Sequence, residues 1–272
     1  PHVRLDGSLD VKKIIGNYHR ELGMDVSRFF TGLEQIHIYE CQESGLRFYH
    51  PFTLAGDGPF YAELSQSYQG YYAPWKWEHA VVFEHVRPGM KVLEIGCGYG
   101  YFLKRLIESG CEATGLELNQ KAVEYGKAQH HADAYDLVCA FQVYEHVTHV
   151  RDMLEQAVAC LKPGGLLALG VPNNDSYLFR HDPYHTLNLP PHHTLLWSPR
   201  SLAYLPKLLP VDEVAVCTEP ANKNHKSAAY RLFWRNKLGP LAAVTHAVTR
   251  PLVKSLPVFQ DGATVVGMFR KR

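Results

Sequence analysis

The sequence predicts an α/β fold, a doubly wound and mostly parallel sheet with helices on both faces. Three observations lead there. A glycine-rich turn, Gly96–Gly100, joins the apolar run Lys91–Ile95 to a helical pattern opening at Phe102. Strand-type runs then alternate with helical stretches from Glu112 to Val171. The 272 residues, 46% hydrophobic and 20% charged, suffice for one large domain with a sizeable core.

Residues 1–76 precede the alternation and read as an N-terminal cap, and residues 77–272 hold the α/β domain. Within the cap, Val11, Ile14, Ile15 and Tyr18 fall on one side of a helix over Val11–Leu22. His37–Cys41 and Leu46–Tyr49 flank the turn Glu43-Ser44-Gly45 as a hairpin. From Phe60 to Trp77 the chain is aromatic, with Tyr61, Tyr68, Tyr71, Tyr72 and Trp75. These rings either pack on the main sheet or close as a lid over a ligand. A helix over Trp77–Val86 leads into the first strand, Lys91–Ile95, and Glu112–Leu118 is the second. Gln120–Gln129 is helical, Tyr135–Phe141 is a buried strand, and Val150–Leu161 is an amphipathic helix. Lys162-Pro163-Gly164-Gly165 terminates that helix before the strand Leu166–Val171. Two late strands, Val211–Thr218 and Ala263–Phe269, flank an insertion at 221–260. Only His130–Ala134 separates one helix from the next strand, where a complete doubly wound half carries another strand. Either that strand is absent or a segment is missing; the normal flanking pieces favour the omission.

A net charge of +1 offers no global case for nucleic acid binding. The six cysteines are scattered without a CxxC pair, which reads as reduced thiols of a cytoplasmic protein. Neither a signal peptide nor a membrane-spanning apolar run is expected, and the opening Pro1-His2 points to a start upstream.

The chemistry centres on the glycine turn. Gly96, Gly98 and Gly100 let a ligand approach bare backbone, and Glu94 stands just before them. Glu117 lies 21 residues beyond Gly96, near the spacing at which a βαβ unit sets an acid on a ribose diol. The glycines read GxGxG rather than the GxGxxG of a dinucleotide site.

Val92–Gly100 (VLEIGCGYG) resembles the first signature of class I S-adenosylmethionine-dependent methyltransferases. Glu117 resembles their ribose-binding acid, Tyr135–Val147 their fourth motif, and Leu161–Asn173 the strand signature after it. The resemblance covers about residues 75–220 and the strand-like 262–270. It implies a Rossmann-like seven-stranded sheet and S-adenosylmethionine as cofactor, released as S-adenosylhomocysteine. It implies cofactor contacts at Tyr72, Glu94, Gly96, Cys97, Gly98, Gly100, Tyr101, Phe102, Glu117, Leu118, Gln142 and Val143. Leu118 would lie against adenine, whose polar partner belongs to the region that looks truncated. The hairpin and the stretch PPHHTLLW also resemble uncharacterised bacterial members related to the ubiquinone-biosynthesis and sugar methyltransferases, and Tyr144 and Trp197 are candidate acceptor contacts.

His146 is the leading candidate for catalytic base, because a hydroxyl acceptor must lose a proton and imidazole suits that near neutral pH. Glu145 either orients this ring or caps the next helix. His192 and His193 are candidate bases or donors to the acceptor; the alternative is a structural corner before a helix capped by Ser198 with Pro199 in its first turn. His181, His185, His192 and His193 fall close together without a paired acid at ligand spacing, so no metal is assigned. The insertion 221–260 carries seven Lys or Arg and no acid. It reads as a solvated helical lid, as a grip for an anionic acceptor through Arg231 and Arg235, or as a basic face on membrane lipid. The expected function is O-methylation of a small molecule by a monomer or homodimer. Nitrogen or carbon acceptors, and an inactive S-adenosylmethionine-binding subunit, are the alternatives.

Overall fold

The computed structural model describes residues 2–68, 73–117, 133–238 and 260–272. Two sheets organise them. The larger has six strands in the order β5-β4-β6-β7-β10-β9: β4 (Lys91–Ile95), β5 (Glu112–Leu116), β6 (Tyr135–Phe141), β7 (Leu161–Pro172), β9 (Val211–Pro220) and β10 (Asp261–Lys271). β4, β5, β6 and β7 pair in parallel, whereas β10 runs antiparallel to both β7 and β9. The described residues therefore supply six strands of the expected seven. The suspected omission and the helix expected over Gln120–Gln129 fall largely on 118–132, outside the described residues.

Alternation along each strand divides the core. Leu93 and Ile95 pack with Leu154 and Val158 of α5 (Val150–Cys160) and Leu202 of α7 (Pro199–Ala203). Val92 faces the opposite layer, with Val82 of α3 (Trp77–Phe83) and Phe102 and Leu106 of α4 (Tyr101–Glu108). The Lys162–Gly165 terminator is a bulge rather than a loop: Tyr135 pairs with Leu161, yet Leu137 pairs with Leu166.

The smaller sheet is antiparallel, in the order β1-β2-β3-β8: β1 (Val3–Asp10), β2 (Gln35–Cys41), β3 (Arg47–His50) and β8 (Leu195–Leu196). β1 was not expected; Val3, Leu5 and Leu9 alternate with polar residues, but Gly7 interrupts the run and this edge strand is exposed at nearly every position. α1 (Val11–Leu22), capped by Asp10, and α2 (Gly58–Ser67), capped by Asp57, pack against this sheet with Leu189 and Leu196. β8 belongs to the stretch that carries His192 and His193, so the N-terminal residues clamp it. Tyr18, Tyr49 and Tyr61 each donate a hydroxyl hydrogen bond to it, at Leu189 O (2.9 Å), Asn188 O (3.1 Å) and His192 O (3.1 Å).

Candidate active site

β4 is the point where strand order reverses, with β5 on one side and β6 on the other, and ligands gather at the carboxyl end of such a strand. The glycine turn lies there. Gly96, Gly98 and Gly100 have φ of 75°, 49° and 71°, a left-handed region that side chains rarely adopt. A Cβ on Gly96 would collide with Cγ2 of Val143, so that glycine is also required by contact. Gly100 opens α4 as its N-cap, without a side-chain cap on the first amides. Tyr101 is partly exposed at the start of α4, and Phe102 packs beneath the turn against Phe141. Cys97 sits beside Gly115, its thiol pushed up to about 11 by burial and by the nearby Glu94 and Glu117; it is a packing group, not a nucleophile.

Two carboxylates frame this cradle. Glu117 is exposed, and its Oε2 accepts the Gly98 amide at 2.7 Å. Glu94 is 4% exposed, and its Oε2 has no hydrogen-bond partner among the described residues. Burial, with Glu117 adding to it, pushes the Glu94 carboxyl up to about 8. Tyr72 and Leu118 lie outside the described residues.

The loop after β6 forms the next wall. Gln142 takes a left-handed φ of 57°, unusual for a side-chain-bearing residue, and its amide donates to Gly170 O at 2.7 Å. Its side chain donates to Glu78, a buried acid of α3 that the sequence reading had not singled out, at 3.2 Å. Glu145 caps nothing: α5 begins after His149, and the Glu145 carboxyl is buried in the cavity wall with neither oxygen hydrogen-bonded among the described residues. Burial pushes it up to about 8.

The structure brings His146, His192 and His193 together. His146 packs 4.7 Å from the His192 ring and 5.0 Å from His193, with the edge of Tyr61 at 5.5 Å. His146 Nδ1 lies 2.6 Å from His192 O, and its Nε2 is 3.8 Å from Glu145 Oε1. Burial lowers the His146 imidazole to about 4, and holds His192 and His193 well below the usual range. All three rings are therefore neutral at pH 7. Ser198 caps α7 through its hydroxyl with Pro199 in the first turn, so the corner reading of the Pro-His-His stretch describes the backbone while its rings face the cavity.

Three expectations are corrected. Tyr144 and Trp197 do not reach the cavity: both are buried in the sheet core, where the indole donates to Tyr144 O at 3.1 Å. Arg231 and Arg235 lie on the outer face of α8 (Lys223–Leu238), away from the cavity wall. Arg231 donates to Ser227, and Arg235 pairs with Asp182 at 3.2 Å. Their side chains have local partners and are not among the cavity's lining residues. Leu241–Val248, Arg250 and Lys254 of the insertion lie outside the described residues. No helix among the described residues is long and apolar enough to cross a membrane.

The comparisons with known proteins agree with this geometry. A methyltransferase-domain family profile matches residues 71–207. A ubiquinone biosynthesis O-methyltransferase of Cronobacter sakazakii is 32% identical over 109 residues, covering 32% of this chain and 44% of that protein. A probable S-adenosylmethionine-dependent methyltransferase of Mycolicibacterium smegmatis is 27% identical over 137 residues, covering 42% and 53%. The chain spans about half the length of the curated relatives it matches. A SAM-dependent methyltransferase from Archaeoglobus fulgidus superposes with a TM-score of 0.53 at 18% identity, over 79% of this chain and 100% of that one, which establishes the shared fold. The chain belongs to the methyltransferase-domain family of S-adenosylmethionine-dependent enzymes.

Proposed function

We propose that this chain transfers the methyl group of S-adenosylmethionine to a hydroxyl of a small-molecule acceptor. The observation that carries the reading is one continuous cavity of about 2050 Å³, lined at one end by Gly96–Gly98 and Glu117 and at the other by Glu145, His146, His192 and His193. That volume is ample for cofactor and acceptor side by side.

The residues present fit the cofactor. Glu94 offers a buried, unpartnered carboxyl oxygen to a cationic group. Glu117 already accepts the Gly98 amide and has a second oxygen for a ribose diol, and the first amides of α4 suit a carboxylate. When bound, S-adenosylmethionine supplies an electrophilic methyl group on a positively charged sulfur. The chain holds the acceptor in line with it, excludes water and receives the hydroxyl proton. His146 is the proposed base: Nδ1 is engaged with His192 O, which leaves Nε2 as the basic nitrogen. With the methyl group that the cofactor would supply passing to the acceptor oxygen, Nε2 of His146 would receive the hydroxyl proton.

An amine acceptor is the second reading, favoured by the buried acids Glu78 and Glu145 in the wall. A panel of phenols, sugars and amines incubated with methyl-labelled cofactor separates the two by the atom that carries label. His146→Ala should lower turnover about 10²-fold or more while cofactor affinity stays near wild type. Calorimetric silence with both S-adenosylmethionine and its demethylated product, while NADH binds, would overturn the assignment.

A further inference from the structure

We propose that His146, His192 and His193 bind one divalent transition-metal ion at the acceptor end of the cavity, with the Glu145 carboxylate beside the rings as the balancing charge. One ring nitrogen from each histidine lies within 4.8 Å of the other two. Zinc–nitrogen bonds of about 2.0–2.1 Å set tetrahedral ligand atoms about 3.4 Å apart, so the rings need to close by on the order of 1 Å.

The surroundings of the rings are those of metal ligands. His146 Nδ1 faces His192 O at 2.6 Å, His192 Nδ1 faces Leu187 O at 2.8 Å, and His193 Nδ1 faces Asn188 Oδ1 at 3.1 Å. Each acceptor oxygen places the ring proton on Nδ1 and the lone pair on Nε2. The Asn188 amide is itself oriented, because its nitrogen donates to Asn174 Oδ1 at 2.8 Å. A carbonyl oxygen behind every ring is the arrangement that fixes tautomer and direction in histidine metal sites.

Glu145 is the independent observation. Its side chain is 0% exposed, neither oxygen has a hydrogen-bond partner among the described residues, and Oε1 is 3.8 Å from His146 Nε2. A carboxylate buried this way is costly without a cation or donor beside it. Three imidazoles with a carboxylate beside them suit zinc, cobalt or iron(II); magnesium and calcium favour all-oxygen shells. All four residues line the cavity, so an acceptor oxygen can reach a remaining coordination position. This site stands on its own geometry. Where the metal is bound, His146 Nε2 is a ligand and takes no proton, so the base role proposed above belongs to the metal-free form.

The test uses the untagged full chain, stripped with chelator and titrated with Co²⁺ and then Zn²⁺, without cofactor or acceptor. Expected are one ion per chain, visible cobalt bands that zinc abolishes, and a rise in melting temperature. His193→Ala and Glu145→Gln should each weaken binding at least about 10-fold, and Asn188→Ala, which removes only the support of a ligand, about 10- to 100-fold. His181→Ala, whose ring stacks on Tyr177 at 4.0 Å, should change nothing. Because truncating a buried ring can unfold the chain, each variant is scored only with a cooperative metal-free melt; Asn188→Ala keeps all three rings. No uptake by folded wild type at about 100 µM ion, a stronger limit than millimolar nonspecific binding, would overturn the site. So would uptake that His193→Ala and Asn188→Ala leave undiminished. Metal binding with no methyl transfer would instead count against the methyltransferase reading alone.

Discussion

Glu94 is held 4% exposed, and its raised carboxyl has consequences for both stability and binding. Its ordinary value is 4.5 and its value in the folded chain is about 8. Below the lower value the folded and unfolded states both carry the proton. Between the two, the unfolded chain has released it while the folded chain keeps it, so stability falls as pH rises toward 8. Urea unfolding of the cofactor-free chain should show that slope, and Glu94→Gln should flatten it by on the order of a few kcal/mol. A cationic cofactor needs the ionised form, so binding at pH 7 should release a proton, measurable by calorimetry in buffers of different ionisation enthalpy. Glu117 is the simpler case. Glu117→Ala removes the acceptor of the Gly98 amide and should cost roughly 1–3 kcal/mol of cofactor affinity; unchanged affinity would take Glu117 off the ribose.

The β4–α4 turn and the start of α2 show how single elements depend on single residues. Gly96→Ala introduces both a strained φ of 75° and a collision with Val143. Combining it with Val143→Ala should relieve the contact but leave the strain, about 1–3 kcal/mol, so the double variant should recover only part of the lost stability. At α2, Asp57 accepts the Phe60 amide at 3.0 Å and two bonds from Arg28 at 2.6 and 2.7 Å. The Arg28 bonds, chiefly, hold the Asp57 carboxyl down to about 2. Its stabilisation is therefore complete above about pH 4 and lost as pH falls through 2. Both partners are about half exposed, so the ion pair adds less than ~1 kcal/mol, and the cap about 1. Asp57→Ala should lower the unfolding free energy measured in urea by that combined amount at pH 7 and by much less at pH 2.

At the scale of the whole molecule, the N-terminal sheet and its helices support the histidine stretch. Tyr18 and Tyr49 donate to buried carbonyls of Leu189 and Asn188, just before His192. Replacing both by Phe should cost about 1–3 kcal/mol for the orphaned Asn188 carbonyl, less at Leu189 O, which keeps the His192 and His193 amides, and lower turnover, with cofactor affinity unchanged because the glycine turn is untouched. Equal losses in cofactor affinity and turnover would show that the cap supports the entire cavity.

The Lys91–Leu106 stretch declared itself in the sequence because its function is local: a strand, a glycine turn and a helix start are contiguous, and the turn needs glycine at fixed positions. Strand and helix alternation revealed the parallel sheet for the same reason, since period and punctuation are read along the chain. β1 escaped because its alternation of Val3, Leu5 and Leu9 is broken at Gly7, where the pairing register also shifts. Tyr144 and Trp197 were misread because a ring beside a site in sequence can turn inward, and only packing shows which way it turns. Glu145 and His146 are neighbours, but His192 and His193 come from a stretch 46 positions later, brought back by pairing with the N-terminal sheet. The sequence alone therefore determined the glycine turn with its flanking strand and helix. The convergence of three imidazoles and a buried carboxylate was decided by tertiary structure, because burial and nonlocal distance exist only once the chain has folded.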